Sequence, residues 1–229
     1  MKMLIKECIK SGYTVMPELD AQKLCSKYSI PCPPTKVGKS KDECGEICES
    51  LGFPVVMKIL SRQIVHKSDV GGVIIGIKDP TELGKAFDKM AADVKAACPN
   101  AKIDGYVIQK MMPAGIEVVV GALRNPQFGP VVMFGMGGIY IEVFKDVEFR
   151  LAPLDKAEAC RQIMDTKICK ILKGVRGQKP CDIDALAALV VHVGKMICEL
   201  EEIHEIDLNP VFSYHDGCMA VDARIVVGK

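Results

Sequence analysis

Lys58 lies inside Pro54-Val55-Val56-Met57-Lys58-Ile59-Leu60, an otherwise apolar run. A lysine in such a run either carries its ammonium to solvent along its aliphatic stem or meets an anion. The stretch Ile64-Val65-His66-Lys67-Ser68-Asp69-Val70-Gly71-Gly72-Val73 then leads into a second apolar run, residues 73–77. A tight hairpin needs only two turn residues, so this connection is longer and chemically richer than a chain reversal demands. His66 is a candidate nucleophile, because neutral imidazole is available near neutral pH. Gly71 and Gly72 permit positive φ and close backbone approach, so successive N–H groups could cradle an oxyanion. Taken singly, a strand-edge lysine, a surface histidine and a glycine turn would account for the same residues.

Two further groups stand out downstream. In Gly105-Tyr106-Val107-Ile108-Gln109-Lys110-Met111-Met112-Pro113, one β run ends and another begins shortly after. Residues 109–112 could form a hinge that offers backbone N–H and C=O groups to a flat base, with Met111 and Met112 as apolar walls. Glu117 could accept hydrogen bonds from ribose hydroxyls; alone it reads equally as a surface glutamate. Near the end, Asp207-x-Asn209-Pro210 follows an apolar strand, and Asp222 comes 13 residues after Asn209 in a second apolar run. A polar turn at residues 215–217 would set these runs side by side. The oxygen pair Asn209 and Asp222 suits Mg²⁺, which takes few protein ligands and fills its remaining positions with water and phosphate oxygens. A turn signal and a surface charge are the competing reading, which the apolar neighbours of Asp222 make less comfortable.

The elements that must hold these residues follow from pattern and punctuation. Residues 17–28, 39–51, 80–97, 155 onward and 182–200 read as helices, with Gly52 as a C-cap and Asp79-Pro80-Thr81 as a helix start. Residues 107–109, 116–122, 130–134, 139–144, 147–151 and 203–227 read as short strands separated by Gly, Pro and polar turns. Strands joined by turns rather than by regular helical crossovers predict mostly antiparallel sheets, hence an α+β fold in two lobes. The boundaries expected are an N-terminal segment 1–16, a smaller lobe 17–110 carrying the His66 loop, and a second lobe 111–229. The chain has 229 residues, 49% of them hydrophobic, and a formal net charge of +1. That charge gives no basis for a nucleic-acid or anionic-membrane partner. No signal-peptide core and no membrane-length apolar run occur. The 11 cysteines have scattered spacings without a CxxC, which favours buried thiols in a reducing cytoplasm over a zinc ribbon or a disulfide framework.

Together, GFPVVMKILSRQIVHKSDVGGV, VIQKMMPAGIEVVVG, FGPVVMFGMGGIYIEVFKDVEFRLAPL and EIDLNPV with VDARI resemble the ATP-grasp β subunits of ADP-forming acetyl-CoA (acyl-CoA) synthetases. The resemblance covers nearly the whole chain from residue 17. Its end is shared more widely, succinyl-CoA synthetase β chains included. It implies two α/β lobes with largely antiparallel sheets enclosing a nucleotide, and interconversion of acyl-CoA, ADP and phosphate with free acid, CoA and ATP. It implies a partner α subunit that binds CoA and carries a first phosphohistidine, in an α2β2 assembly, with the acyl chemistry supplied by that separate chain. His66 then matches a second histidine that relays the phosphoryl group to ADP, and Asp207 the aspartate that holds it. Lys58 matches a phosphate-contacting lysine, Gln109 through Met112 (Lys110 included) the adenine hinge, Glu117 the ribose acid, and Asn209 and Asp222 the Mg²⁺ ligands. A different ATP-grasp acid–thiol or acid–amine ligase, and a non-catalytic nucleotide-binding module, are the alternatives.

Overall fold

The computed structural model describes residues 1–61, 63–64, 67–138 and 146–228. His66 and the strand expected at 139–144 therefore lie outside the described residues. In chain order the elements are α1 (Lys2–Lys10), α2 (Glu18–Lys27), β1 (Thr35–Gly38), α3 (Lys41–Leu51), β2 (Val55–Leu60), β3 (Val73–Ile77), α4 (Pro80–Ala97), β4 (Gly105–Lys110) and β5 (Ile116–Asn125). They continue with β6 (Gly129–Met136), β7 (Val147–Leu151), α5 (Lys156–Asp165), α6 (Cys169–Leu172), α7 (Ile183–Glu199), β8 (Ile203–Tyr214), β9 (Gly217–Ala220) and β10 (Arg224–Val227). The chain divides into two units, 33–113 and 1–32 with 114–229.

Unit 33–113 is a four-stranded antiparallel sheet in the order β1-β4-β2-β3, with α3 and α4 against one side. Both helices start the same way. Ser40 Oγ accepts from Glu43 N–H at 3.2 Å while Glu43 Oε2 accepts from Lys39 N–H at 2.7 Å. Asp79 Oδ1 accepts from Glu82 N–H at 2.8 Å while Glu82 Oε2 accepts from Lys78 N–H at 2.9 Å. Each is a reciprocal cap that satisfies amides a helix start leaves unpaired. Met57, Ile59 and Ile108 point to the helices and pack with Cys44, Cys48 and Met90, all fully buried. A side chain buried this way contributes roughly 1.5–3 kcal/mol. Strand alternation turns Lys58 and Gln109 to the opposite face.

The other unit is built on a six-stranded sheet, in the order β10-β8-β5-β6-β7 with β9 also paired to β8. Every pairing among the described strands is antiparallel. Val118 and Val120 on β5, Phe134 on β6 and Leu208 on β8 lie in one core with Leu186, Val190 and Val193 of α7. Residues between them in sequence face the other way: Val119, Leu123, Met133, Phe149, Asp207 and Asn209 border a concavity of about 230 Å³. Among the described residues no helix is long and apolar enough to cross a membrane.

The expected boundaries need correction. The break falls after residue 32 and again after 113, and the first 32 residues belong with the C-terminal sheet. Ile5, Cys8, Met16, Leu24 and Cys25 are buried in that unit's core. Met16 N–H donates to Ile225 O at 2.9 Å and Val227 N–H to Thr14 O at 2.8 Å, so residues 14–16 run along β10. Local pattern marks α2 as a helix but carries no sign of which sheet it covers, because that choice is made by contacts 200 residues apart in the chain. Helix α1 was expected only as an N-terminal segment.

Candidate nucleotide and metal site

Lys58 occupies the middle of β2, opposite Val107 on β4 and Val73 on β3. It is 8% exposed, and Gln109, opposite Val56 on the same sheet face, is 1% exposed. A lysine buried to this degree needs a compensating partner, and both residues are engaged by neighbours. Their shared face is where the sequence places phosphate and base contacts.

Neighbouring backbone and side chains in this unit engage several of the groups the sequence offers to a nucleotide. Gly72 N–H donates to Lys67 O at 2.7 Å and Gly71 N–H to Ser68 O at 3.3 Å, so both amides bond within their own turn. The glycines serve packing: Gly71 has φ +70°, and a Cβ on Gly72 would lie 2.6 Å from Ile59 Cγ2. Lys110 Nζ donates to Gly52 O at 2.7 Å and Phe53 O at 3.0 Å, which caps the C-terminus of α3. In the hinge, Lys110 N–H donates to Pro34 O at 2.9 Å and Met111 N–H to Pro54 O at 3.1 Å. Met111 and Met112, expected as apolar walls beside a flat base, are both half-buried.

In the six-stranded unit the constellation near the C-terminus comes together. Strand β8 turns at His215-Asp216 into β9, with Val211 opposite Ala220. Beyond the break at residues 221–223, Asp207 stands opposite Arg224 of β10. Val221 N–H donates to Pro210 O at 3.0 Å. One register thus runs through both pairs and puts Asp222 across from Asn209. Asn209 Oδ1 accepts from Gly138 N–H at 3.1 Å. Glu117, exposed on β5, stands opposite Phe212 of β8. Its backbone carbonyl accepts from Gly137 N–H at 3.0 Å.

Burial pushes the Asp207 carboxyl above the usual carboxylate range, and the charges of Glu205 and Asp222 add to this against the pull of Arg224. Arg224 itself pairs with Glu205 at 2.6 Å. Carboxylates gathered beyond what one arginine neutralises form a place where a cation is welcome. The donors, an amide oxygen and an exposed carboxylate, are the hard oxygen ligands that Mg²⁺ takes. Among the described residues no group of three His, Cys, Asp or Glu side chains is placed to chelate a metal. Sequence reasoning missed Gly137, Gly138, Glu205 and Arg224. The glycine pair ending the Phe134-Gly135-Met136-Gly137-Gly138 stretch was the available signal.

The ATP-grasp domain model matches residues 7–227. The chain is 46% identical over 223 residues to the β subunit of an ADP-forming acetate–CoA ligase I from Pyrococcus furiosus, spanning 97% of this chain and 96% of that one. This chain belongs to the ATP-grasp family, among the β subunits of ADP-forming acetate–CoA ligases. It is thus the ATP-grasp subunit of a ligase. The solved dinucleotide forming acetyl-coenzyme A synthetase 1 of Ca. Korarchaeum cryptofilum, in complex with coenzyme A, Ca-AMPCP and HgCl⁺, superposes with a TM-score of 0.96 at 42% identity over 99% of each chain. Another structure of that enzyme, with coenzyme A and Mg-AMPPCP, gives 0.88 at 38% identity over 99% of each chain, and is described with a phosphohistidine segment pointing towards its nucleotide-binding site. The α+β, antiparallel ATP-grasp architecture expected from the sequence is the one observed.

Proposed function

We propose that this ligase β subunit carries a phosphoryl group from a phosphohistidine of a CoA-binding α subunit, through His66, to ADP. In the overall reaction acyl-CoA, phosphate and ADP give free acid, CoA and ATP. At the relay, the N–P bond to the partner's histidine breaks as an N–P bond to His66 forms. That bond then breaks as a terminal oxygen of ADP takes the phosphoryl group. Splitting one transfer into two shortens each step, and a carboxylate on the far ring nitrogen, the role given to Asp207, fixes the tautomer and steadies the charged ring. Lys58 meets the phosphates, residues 109–112 the adenine and Glu117 the ribose. Asn209 and Asp222 would hold Mg²⁺, which supplies neutralising charge to a phosphoryl group whose transition state spreads charge over its oxygens. The assembly is an α2β2 heterotetramer in the cytoplasm.

The observation that carries this reading is the single register along β8, which pairs Asp207 with β10 and sets Asn209 across from Asp222 in the break at residues 221–223. The Mg-AMPPCP bound by the Ca. Korarchaeum cryptofilum enzyme supports the nucleotide and metal assignments. The word "beta" in the relative's name supports a partner chain. The test is His66→Ala in the reconstituted complex. Mg-ADP binding stays near the wild-type value while ATP formation from acetyl-CoA is abolished, and wild-type β chain acquires an acid-labile, base-stable phosphate at His66. Turnover at the wild-type rate in the variant defeats the relay.

A further inference from the structure

Two glycines at the end of β6 lie where Glu117 and Asn209 converge, and neither is used in the function above. Gly137 is pressed against β5: a Cβ on it would lie 2.5 Å from the Val118 carbonyl carbon. The following peptide is placed by that contact. Gly138 N–H donates to Asn209 Oδ1 at 3.1 Å, and the residue holds φ +64°. A Cβ built on Gly138 would overlap Oε2 of the Glu117 carboxylate. One residue therefore touches two functional groups that reach it from different strands. Only the oxygen of an asparagine amide can accept from an N–H, so this bond fixes which end of the Asn209 amide is turned inward. The same oxygen keeps a second lone pair for a cation. On the other side, the bare Cα provides the Glu117 carboxylate with a seat that any side chain would fill.

We propose that Gly138 is a positioning residue that sets Glu117 and Asn209 together, coupling recognition of the nucleotide ribose to binding of the divalent cation. The inference rests on the assignment of Glu117 to ribose and Asn209 to Mg²⁺. A side chain at position 138 displaces the carboxylate directly. The relief of that overlap shifts the 137–138 peptide and unseats the amide. Ribose affinity and metal dependence then fail together, through the contacts of Gly138 with Glu117 and Asn209.

The test is calorimetric titration of the full chain with ADP, with and without Mg²⁺. The variants are Gly138→Ala, Gly138→Asn, Glu117→Ser and the double variant Glu117→Ser/Gly138→Ala, with thermal unfolding to confirm that each is folded. Gly138→Ala weakens ADP binding by about tenfold or more and reduces the gain that Mg²⁺ gives. Gly138→Asn does the same, because asparagine tolerates the left-handed backbone but brings the same Cβ. In the Glu117→Ser background the overlap is gone, so adding Gly138→Ala changes either affinity by less than about twofold, a non-additivity that a merely structural glycine would not show. Binding by Gly138→Ala within about twofold of wild type, restoration by Gly138→Asn, or a loss undiminished in the Glu117→Ser background overturns the coupling. A wild-type chain that binds no ADP, or whose affinity ignores Glu117→Ser, overturns the site assignment itself and the coupling with it.

Discussion

Asp207 and its neighbours show how a site's chemistry can work against the stability of the fold that holds it. Its carboxyl is half-buried and feels the charges of Glu205 and Asp222, and its affinity for a proton is raised in the folded chain. Between the unfolded and the raised folded value, the native state binds more protons than the unfolded one. Stability therefore falls as pH rises through that window and stays at the lower level above it. An asparagine cannot ionise, so Asp207→Asn escapes the loss. In chelator-treated protein the variant melts above wild type at pH well beyond the window, and the gap closes when acid protonates Asp207 in the wild type. Thermal unfolding across pH reads this directly. A gap that does not change with pH would show that Asp207 is not held ionised against its surroundings. The same substitution removes the carboxylate assigned to His66, so the gain in stability comes with a loss of turnover, as is common where a site holds perturbed groups.

Elements that announce both their ends in sequence were read to within a residue or two, and those that depend on distant packing were not. Helix α4 was expected at 80–97 and is observed there, because Asp79, Pro80 and Glu82 start it by local chemistry. Helix α3 ends at Gly52 with φ +73°, as its glycine suggested. The surprise is that this end also depends on Lys110 from β4, whose ammonium bonds the carbonyls of Gly52 and Phe53. Nothing near Lys110 in sequence signals that role for its side chain. Lys110→Met keeps the aliphatic stem and removes both bonds. Hydrogen bonds from a charged donor contribute about 1.5–3 kcal/mol, so urea denaturation should show a loss of about that size. An unchanged midpoint would mean that the carbonyls are equally well served by water. Gly71 and Gly72 carry a packing role that sequence does not specify: a glycine pair states that backbone comes close to something, and here Asp93 and Ile59 are close. By contrast, Asn209 and Asp222 were legible as neighbours because a two-residue turn joins β8 to β9, and the register it sets recurs in β10 beyond the break at residues 221–223.

At the scale of the whole molecule, the sheet to which a segment belongs is decided by long-range contacts, and residues 1–32 are the case in point. Read locally, residues 1–16 looked like a separate piece with charges every few positions. In the structure Ile5, Cys8 and Met16 are buried among residues of the six-stranded unit, and residues 14–16 bond to β10. Strand β10 in turn pairs with β8, which carries Asp207 and Asn209. The first 16 residues thus support the stretch of β8 that carries Asp207 and Asn209 through one intervening strand. Burial of apolar side chains at roughly 1.5–3 kcal/mol each makes their combined loss comparable to the net stability of an ordinary domain, about 5–15 kcal/mol. A variant lacking residues 1–16 should therefore lose amide protection in β5, β8 and β10. The amides of β1, β2 and β4, which belong to the other unit, should keep theirs. Hydrogen exchange read by peptide mass spectrometry separates the two sets. Equal loss in both would show that the units unfold together; no loss in β8 and β10 would return the segment to the separate status its sequence suggested.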